Sequence, residues 1–173
     1  DMGVAALTRE HRWRSALVAQ VRPGPGEVIV DVGCGTGSLL VLLGKAAPSA
    51  RLIGIDPDPV VLERAGKRVA AAGLSVELRT GFARQTTQLL EGRRPIKVVS
   101  SLMFHQVPME EKVAALAAMH AALADEGEIH IADYGMQRTR LMRALFRGII
   151  QTLDGHLNTE PNARGVLPDL MRS

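Results

Sequence analysis

The chain has 173 residues, of which 46% are apolar and 23% charged, and its formal net charge at pH 7 is +3. This length and composition predict one globular domain with its own hydrophobic core. The small charge excess, the lack of a dense basic patch and an aromatic content of 3% argue against a nucleic-acid partner.

Cysteine content and hydropathy bear on the compartment. Cys34 is the only cysteine, which excludes an internal disulfide and a cysteine-based zinc site. No signal-peptide pattern and no apolar run of about 18 residues is present, so the sequence predicts no membrane span. We therefore expect a cytoplasmic protein. No spacing of His, Asp or Glu indicates a metal site.

Strand and helix patterns alternate along the chain. Short β-branched or alternating runs predict strands at residues 28–32, 51–55, 75–79, 96–101 and 128–133. Apolar periodicity and capping residues predict helices at residues 7–21, 36–47, 58–73, 85–90, 108–123 and 138–150. Residues 151–165 are polar and predict a loop, and residues 167–171 predict the start of a further helix.

The helix predicted at 108–123 has apolar residues at helical spacing. We expect one stripe to face the core, made of Val113, Leu116, Ala117, His120 and Leu123. His120 is then a packed or boundary histidine.

The alternation of strands and helices predicts an α/β fold, a mostly parallel, doubly wound sheet with helices on both faces and right-handed crossovers. In such a sheet a ligand lies beyond the carboxyl ends of the strands. The residues that directly follow each strand are therefore the candidates for function.

A glycine turn follows the first strand, with Gly33, Gly35 and Gly37 at every second position. Glycines let a ligand approach the backbone, and the helix that follows directs N–H groups and its positive dipole end to the same point. Ser38 stands where a dinucleotide-binding fingerprint has its third Gly or Ala, which speaks against a dinucleotide site. No Lys-Ser/Thr follows the glycines, which excludes a P-loop.

Two carboxylates flank this turn. Asp56 ends the second strand and can accept both ribose hydroxyls of a nucleoside, a role that does not separate nicotinamide from other nucleoside cofactors. Its alternative is a helix cap, but Asp58 already fits that role. Asp31 precedes the glycines; it either faces the ligand or caps the turn.

Four segments together carry a family resemblance, V-D-V-G-C-G-T-G, G-I-D-P-D-P, S-S-L-M-F-H-Q-V and G-E-I-H-I-A-D-Y-G. From residue 7 to residue 171 the chain resembles class I S-adenosylmethionine (SAM) methyltransferases of the ubiquinone/menaquinone-biosynthesis type. The resemblance implies a Rossmann-like sheet with strand order 3-2-1-4-5.

The resemblance also implies a single domain over 1–173. It comprises an N-terminal helix or lid (1–26), a cofactor-binding core (27–150) and an incomplete C-terminal part (151–173) without the family's final helix and hairpin. A missing hairpin would leave the strand at 128–133 as an open edge, which a partner chain, for example in a homodimer, can cover.

The resemblance assigns cofactor contacts to residues at four strand ends. They are Asp31, Gly33, Cys34, Gly35, Thr36, Gly37, Asp56, Pro57, Gly81, Phe82, Ala83, Ser100 and Ser101. Cys34 is expected to be a small filler, since nothing basic adjoins it to activate the thiol. Phe82 stands where the family often has an acid for the adenine amino group, so Phe82 either packs on adenine or lies in the core.

His105, after the fourth strand, is the one candidate general base. Its alternative role is to shape the pocket, because displacement at a sulfonium is driven largely by alignment of donor and acceptor. His11 and Trp13 either belong to a lid over the substrate or pack against the core.

These features predict SAM-dependent methyl transfer to the O, N or C atom of a small molecule, with S-adenosylhomocysteine (SAH) as product. The motifs of amino-methylating and cytosine-C5 DNA methyltransferases are absent. Two alternatives stay open: a non-catalytic SAM-binding or regulatory module, and an NAD(P)-dependent oxidoreductase.

Overall fold

The computed structural model describes residues 13–135 and 156–172. Within them, five strands form one sheet in the order β3-β2-β1-β4-β5, and every neighbouring pair is parallel. The strands are β1 Val28–Val32, β2 Arg51–Asp56, β3 Val76–Thr80, β4 Lys97–Ser101 and β5 Glu128–Ala132. The predicted fold class and strand order are confirmed.

The helices follow the predicted alternation through the fifth strand. They are α1 (residues 13–21), α2 Ser38–Ala46, α3 Pro59–Ala71, α4 Thr86–Leu89, α5 Met109–Ala122, α6 His156–Ala163 and α7 Val166–Leu170. Single 3₁₀ turns occur at Ala83–Gln85 and Phe104–Gln106. The helix predicted at 138–150, the start of the helix predicted at 7–21, and His11 lie outside the described residues.

Side chains of successive β1 residues point to opposite faces of the sheet, and each face has its own core. Val30 and Val32 pack with Phe104 and α5 on one face, whereas Ile29 packs with α1 and α2 on the other. Asp31 is two residues after Ile29 in β1, so its side chain also lies on the α2 face of the sheet. There it is fully buried.

The prediction of a loop over 151–165 is wrong where the structure describes a helix, α6 His156–Ala163; residues 151–155 lie outside the described residues. Several inward side chains of α6 are polar, among them Thr159 and Asn162, which are fully buried, and Glu160. Hydrophobic periodicity cannot find a helix whose buried residues are polar.

The predicted core stripe of α5 is displaced. Val113 is 48% exposed, and Ala117 and His120 are also exposed. The buried face consists of Lys112, Ala115, Leu116, Met119 and Ala122. The alanines of α5 lie on all faces of the helix, so its apolar pattern does not define one buried face. A lysine, moreover, is not expected in a core.

In the part of the chain that the structure describes, every helix is too short or too polar to cross a membrane.

Candidate active site

The glycine turn depends on backbone conformations that favour glycine. Gly33, Gly35 and Gly37 have φ values of 72°, 53° and 76°. A Cβ at Gly33 would lie 2.5 Å from Met103 Cγ, whereas a Cβ at Gly35 would meet nothing within 4 Å. Gly33 is therefore required by packing, and Gly35 leaves an open approach to the backbone.

Main-chain and carboxylate hydrogen bonds connect this turn to the end of β2. The amides of Gly33 and Cys34 donate to the Ile55 carbonyl at 2.8 and 3.0 Å. The Gly35 amide donates to Asp56 Oδ2 at 2.9 Å, and Asp56 Oδ1 accepts from the Asp58 amide at 3.0 Å. A carboxylate has about four acceptor positions, so Asp56 keeps lone pairs for further donors.

Asp58 occupies the capping position that the sequence predicts. Its side chain accepts from the amides of Val60 and Val61 at 2.8 and 3.3 Å, at the start of α3. Asp56 is not needed as a cap and is available to a ligand.

Asp31 is the least satisfied acid of the site. Its side chain is fully buried, and neither carboxylate oxygen has a hydrogen-bond partner among the described residues. Burial raises the pKa of Asp31 to about 7, the Arg14 guanidinium opposes the shift, and the charge of Asp56 adds to it. A buried carboxylate without donors is costly, so a cationic or donor group of a ligand suits this position.

A cavity of about 360 Å³ opens at the carboxyl ends of the strands. The predicted residues that line it are Gly33, Cys34, Gly35, Thr36, Asp56, Pro57, Gly81, Phe82, Ala83 and Ser101. The structure thus gathers residues from four separate strand ends, those of β1, β2, β3 and β4, around one space.

Four predicted residues do not line this cavity: Asp31, Gly37, Ser100 and His105. The Ser100 hydroxyl donates to the Val32 carbonyl at 2.8 Å and thereby stabilises the start of the glycine turn. His105 is only 3% exposed; its Nδ1 lies 2.8 Å from Asp133 Oδ1, and its ring meets the Tyr134 ring edge-on at 4.8 Å. His105 is thus placed behind the cavity, away from the position expected of a general base.

Phe82 does not belong to the core, contrary to one of its two predicted roles. Its side chain is 52% exposed and borders the cavity, with the Arg84 guanidinium 5.3 Å above the ring centroid. An exposed aromatic ring at a cavity mouth provides a surface on which a planar group can stack.

The cysteine of the glycine turn is shielded. Cys34 is 7% exposed, and burial, with the charges of Asp31 and Asp56, raises the pKa of its thiol. The thiol stays protonated at neutral pH, which agrees with the role of a small filler.

Nine further residues line the cavity: Arg14, Ser38, Leu39, Leu102, Met103, Gln106, Val107, Glu111 and Ala115. Leu102 and Met103 directly follow the fourth strand, where the sequence predicts functional residues; no contact was predicted for the other seven. Arg14 comes from α1, whose Trp13 packs partly buried against the α2 core. Leu102 has a φ of 54°, a conformation unusual for leucine that marks the sharp bend after β4. The segment 102–107 that begins there is named the post-β4 segment below.

Within the described residues, no group of three or more His, Cys, Asp or Glu side chains could hold a metal ion.

The family model described as "Methyltransferase domain" matches residues 29–127, more than half of the chain. The chain belongs to this family and carries a class I SAM-dependent methyltransferase domain. The oxidoreductase alternative is set aside with that finding, because the matched family transfers methyl groups.

Relatives support the same class. The chain is 28% identical over 164 residues to the uncharacterized methyltransferase YodH of Bacillus subtilis (strain 168), covering 77% of this chain and 70% of that protein. It is 42% identical over 62 residues to a demethylmenaquinone methyltransferase of Symbiobacterium thermophilum, covering 35% of this chain and 25% of that protein. It is 30% identical over 136 residues to ribosomal RNA small subunit methyltransferase C of Pseudomonas aeruginosa (strain UCBPP-PA14), and the match covers 75% of this chain and 39% of that protein.

Among solved structures, an O-methyltransferase family protein from Burkholderia thailandensis shares the fold with a TM-score of 0.71 and 18% identity. The match covers 94% of this chain and 48% of that one. The chain therefore spans about half or less of the length of most of these relatives, YodH excepted.

Proposed function

We propose that the chain methylates a small-molecule acceptor by direct displacement, with SAM bound in the cavity at the glycine turn. The observation that carries the cofactor placement is Asp56, which lines the cavity beside the open Gly35 backbone and keeps free acceptor positions. Near the end of β1, the fully buried carboxylate of Asp31 lacks a hydrogen-bond donor among the described residues, so the positive charge of the SAM ammonium group suits this side of the site.

The other residues of the site fit the remaining parts of SAM. Asp56 would accept the ribose hydroxyls, the open Gly35 backbone would lie beside the methionine part, and Phe82 with Ala83 would contact adenine. When bound, SAM supplies an electrophilic methyl group on a sulfonium, and its loss leaves the neutral thioether of SAH.

The post-β4 segment favours an apolar acceptor. Leu102, Met103 and Val107 contribute apolar lining, and Arg84 at the rim is paired with Glu111. Arg84 therefore brings no uncompensated positive charge to this side of the cavity for a phosphate backbone. A small hydroxyl, amine or ring-carbon acceptor suits this surface better than a polynucleotide.

Catalysis in this proposal rests on alignment. The chain would hold donor and acceptor in line, which can supply several kcal/mol, roughly 7–11 in well-oriented reactions. His105 would shape the post-β4 segment through its bond to Asp133, and no general base is required for an acceptor of low pKa.

Ribosomal RNA is the second candidate acceptor, favoured by the Pseudomonas aeruginosa relative that covers 75% of this chain. A non-catalytic SAM-binding role is the third reading of the same site. The cytoplasmic location and the homodimer remain predictions.

The test is methyl transfer from isotopically labelled SAM to a panel of quinols, phenols, amines and small-subunit ribosomal RNA, with Asp56→Ala as control. Label in a small molecule, lost in the variant, would support the proposal. Label in RNA alone would support the second candidate. SAM binding without any transfer would point to the non-catalytic role.

A further inference from the structure

Helix α5 carries a lysine whose entire side chain lies inside the protein. Lys112 has no exposed surface. Its ammonium donates to three main-chain carbonyls: those of Phe104, Val107 at 2.6 Å and Asn158 at 3.0 Å. Burial lowers the pKa of Lys112 to about 8, and the charge of Asp133 opposes the shift.

Two of these carbonyls belong to the post-β4 segment, and the third belongs to α6. The segment lines the cavity through Leu102, Met103, Gln106 and Val107. Lys112 therefore connects a wall of the cavity to α6, whose Asn158 lies 46 residues after the lysine in sequence.

A second contact joins the same two elements. The Asn158 side chain donates from Nδ2 to the Gln106 carbonyl at 3.0 Å. α6 thus contacts the post-β4 segment through its own side chain and through the lysine of α5.

The post-β4 segment is also held from the end of β5. Asp133 Oδ2 accepts from the His105 amide at 3.3 Å, and Asp133 Oδ1 lies 2.8 Å from His105 Nδ1. The segment is thus held by Asp133, by the Asn158 side chain of α6 and by Lys112 of α5. Lys112 supplies the hydrogen bonds that join the segment to both helices.

We propose that Lys112 is a positioning residue that attaches the post-β4 segment to α6 and thereby sets the affinity of the cavity for its nucleoside ligand. This inference rests on the proposed function, since it takes the cavity as the SAM site. Met103 of the segment packs directly on Gly33, so displacement of the segment is transmitted to the glycine turn.

A general stabilising role is the competing explanation. Loss of the Lys112 ammonium leaves three buried carbonyls without their donor and can lower global stability, so the unfolding temperature alone does not distinguish the two roles. The local readouts do: a positioning role affects the segment and the ligand specifically, whereas a stabilising role affects the whole fold.

The chain offers a matched control at the opposite end of the sheet. Lys97 is also nearly buried, and its ammonium contacts Glu27 Oε2 at 2.7 Å and the Arg22 carbonyl at 3.0 Å. None of these groups borders the cavity. Lys97→Met removes a buried ammonium without touching the post-β4 segment.

The experiment compares the wild type with Lys112→Met, Lys97→Met and Asn158→Ala. Calorimetry measures the SAH affinity, and hydrogen exchange of the ligand-free protein measures the protection of the Gln106 and Val107 amides, which donate to Met103 and Phe104 carbonyls. For Lys112→Met we expect about tenfold weaker SAH binding and about tenfold faster exchange at these amides, because two carbonyls of the segment lose their donor.

For Lys97→Met we expect both quantities to stay within about twofold of the wild type, whatever the change in unfolding temperature. Asn158→Ala removes one bond at a partly exposed site, so it keeps the test decisive if Lys112→Met does not fold. It should weaken SAH binding and accelerate exchange by about threefold.

Wild-type SAH affinity and exchange in a folded Lys112→Met, or in Asn158→Ala when the former does not fold, would overturn the inference. Equal losses of SAH affinity in Lys112→Met and Lys97→Met would do the same, because they would reveal a general effect on stability. A wild type that does not bind SAH would refute the proposed function, while the exchange data would still decide whether Lys112 holds the segment.

Discussion

The Gly35 amide donates to Asp56 Oδ2 at 2.9 Å, across 21 residues of sequence. This bond brings the carboxylate at the end of β2 against the open part of the glycine turn. In the cofactor site that we propose, this residue pair lies where the ribose would bind.

Asp56→Ala should weaken SAM binding by about 100-fold, since hydrogen bonds to a charged acceptor contribute about 1.5–3 kcal/mol each. Calorimetric titration measures the loss. Asp58→Ala is the matched control: it removes the cap of α3 and should cost about 1 kcal/mol of stability with little change in affinity. Similar affinities for Asp56→Ala and wild type would contradict the ribose assignment.

Asp31 should make SAM binding depend on pH. Because the pKa of Asp31 is raised to about 7 in the ligand-free protein, an ammonium group that binds beside it favours the ionised form. Affinity should therefore rise from about pH 5.5 to about pH 7, with proton release on binding. Calorimetry in buffers of different ionisation enthalpy measures that release, and Asp31→Asn should abolish it. Release that persists in the variant would assign the proton to another group.

The same residue should reduce stability at high pH. Between about pH 4 and pH 7 the folded state holds more protons on Asp31 than the unfolded state, so stability falls as pH rises through this window. At pH 8 we expect Asp31→Asn to raise the free energy of unfolding by about 1–2 kcal/mol, less than the full penalty because the buried amide also lacks partners. Denaturant unfolding tests this, and a less stable variant at pH 8 would contradict it.

Gly35 and Gly73 form a matched pair for the role of the glycine turn. Both have positive φ values, 53° and 70°, and a Cβ at either would meet nothing within 4 Å. Replacement by alanine should cost each about 1 kcal/mol of stability. Only Gly35→Ala should also impair SAM binding, because its Cβ occupies the approach to the backbone. Equal SAM affinities for the two variants would show that the ligand does not approach Gly35.

Phe82→Ala should separate ligand binding from stability. The ring is 52% exposed, so its loss should change the free energy of unfolding by less than about 0.5 kcal/mol. If adenine stacks on it, SAM affinity should fall by about tenfold. Val60→Ala, at a residue 56% exposed on α3, serves as control. An unchanged affinity in Phe82→Ala would remove the ring from the site.

Much of the fold follows from local pattern, because β-branched runs and helix caps act within a few residues. The five strands, the cap at Asp58 and the gathering of Gly33, Gly35 and Asp56 were predictable in that way. α6 was not, since its buried Thr159 and Asn162 carry no apolar signal.

Long-range contacts account for the remaining differences at the site. Lys112 is buried because three carbonyls from two distant segments surround it, which no spacing on α5 reveals. His105 turns away from the cavity because Asp133, 28 residues later, accepts from it. Arg14 reaches the cavity only through the docking of α1 on the sheet.

A crystal structure of the chain with SAH is the most direct test of the proposed cofactor site. We expect the ribose hydroxyls within hydrogen-bond distance of Asp56, the ammonium group on the side of Asp31, and adenine against Phe82. SAH bound elsewhere, or bound here with the ribose away from Asp56, would contradict it.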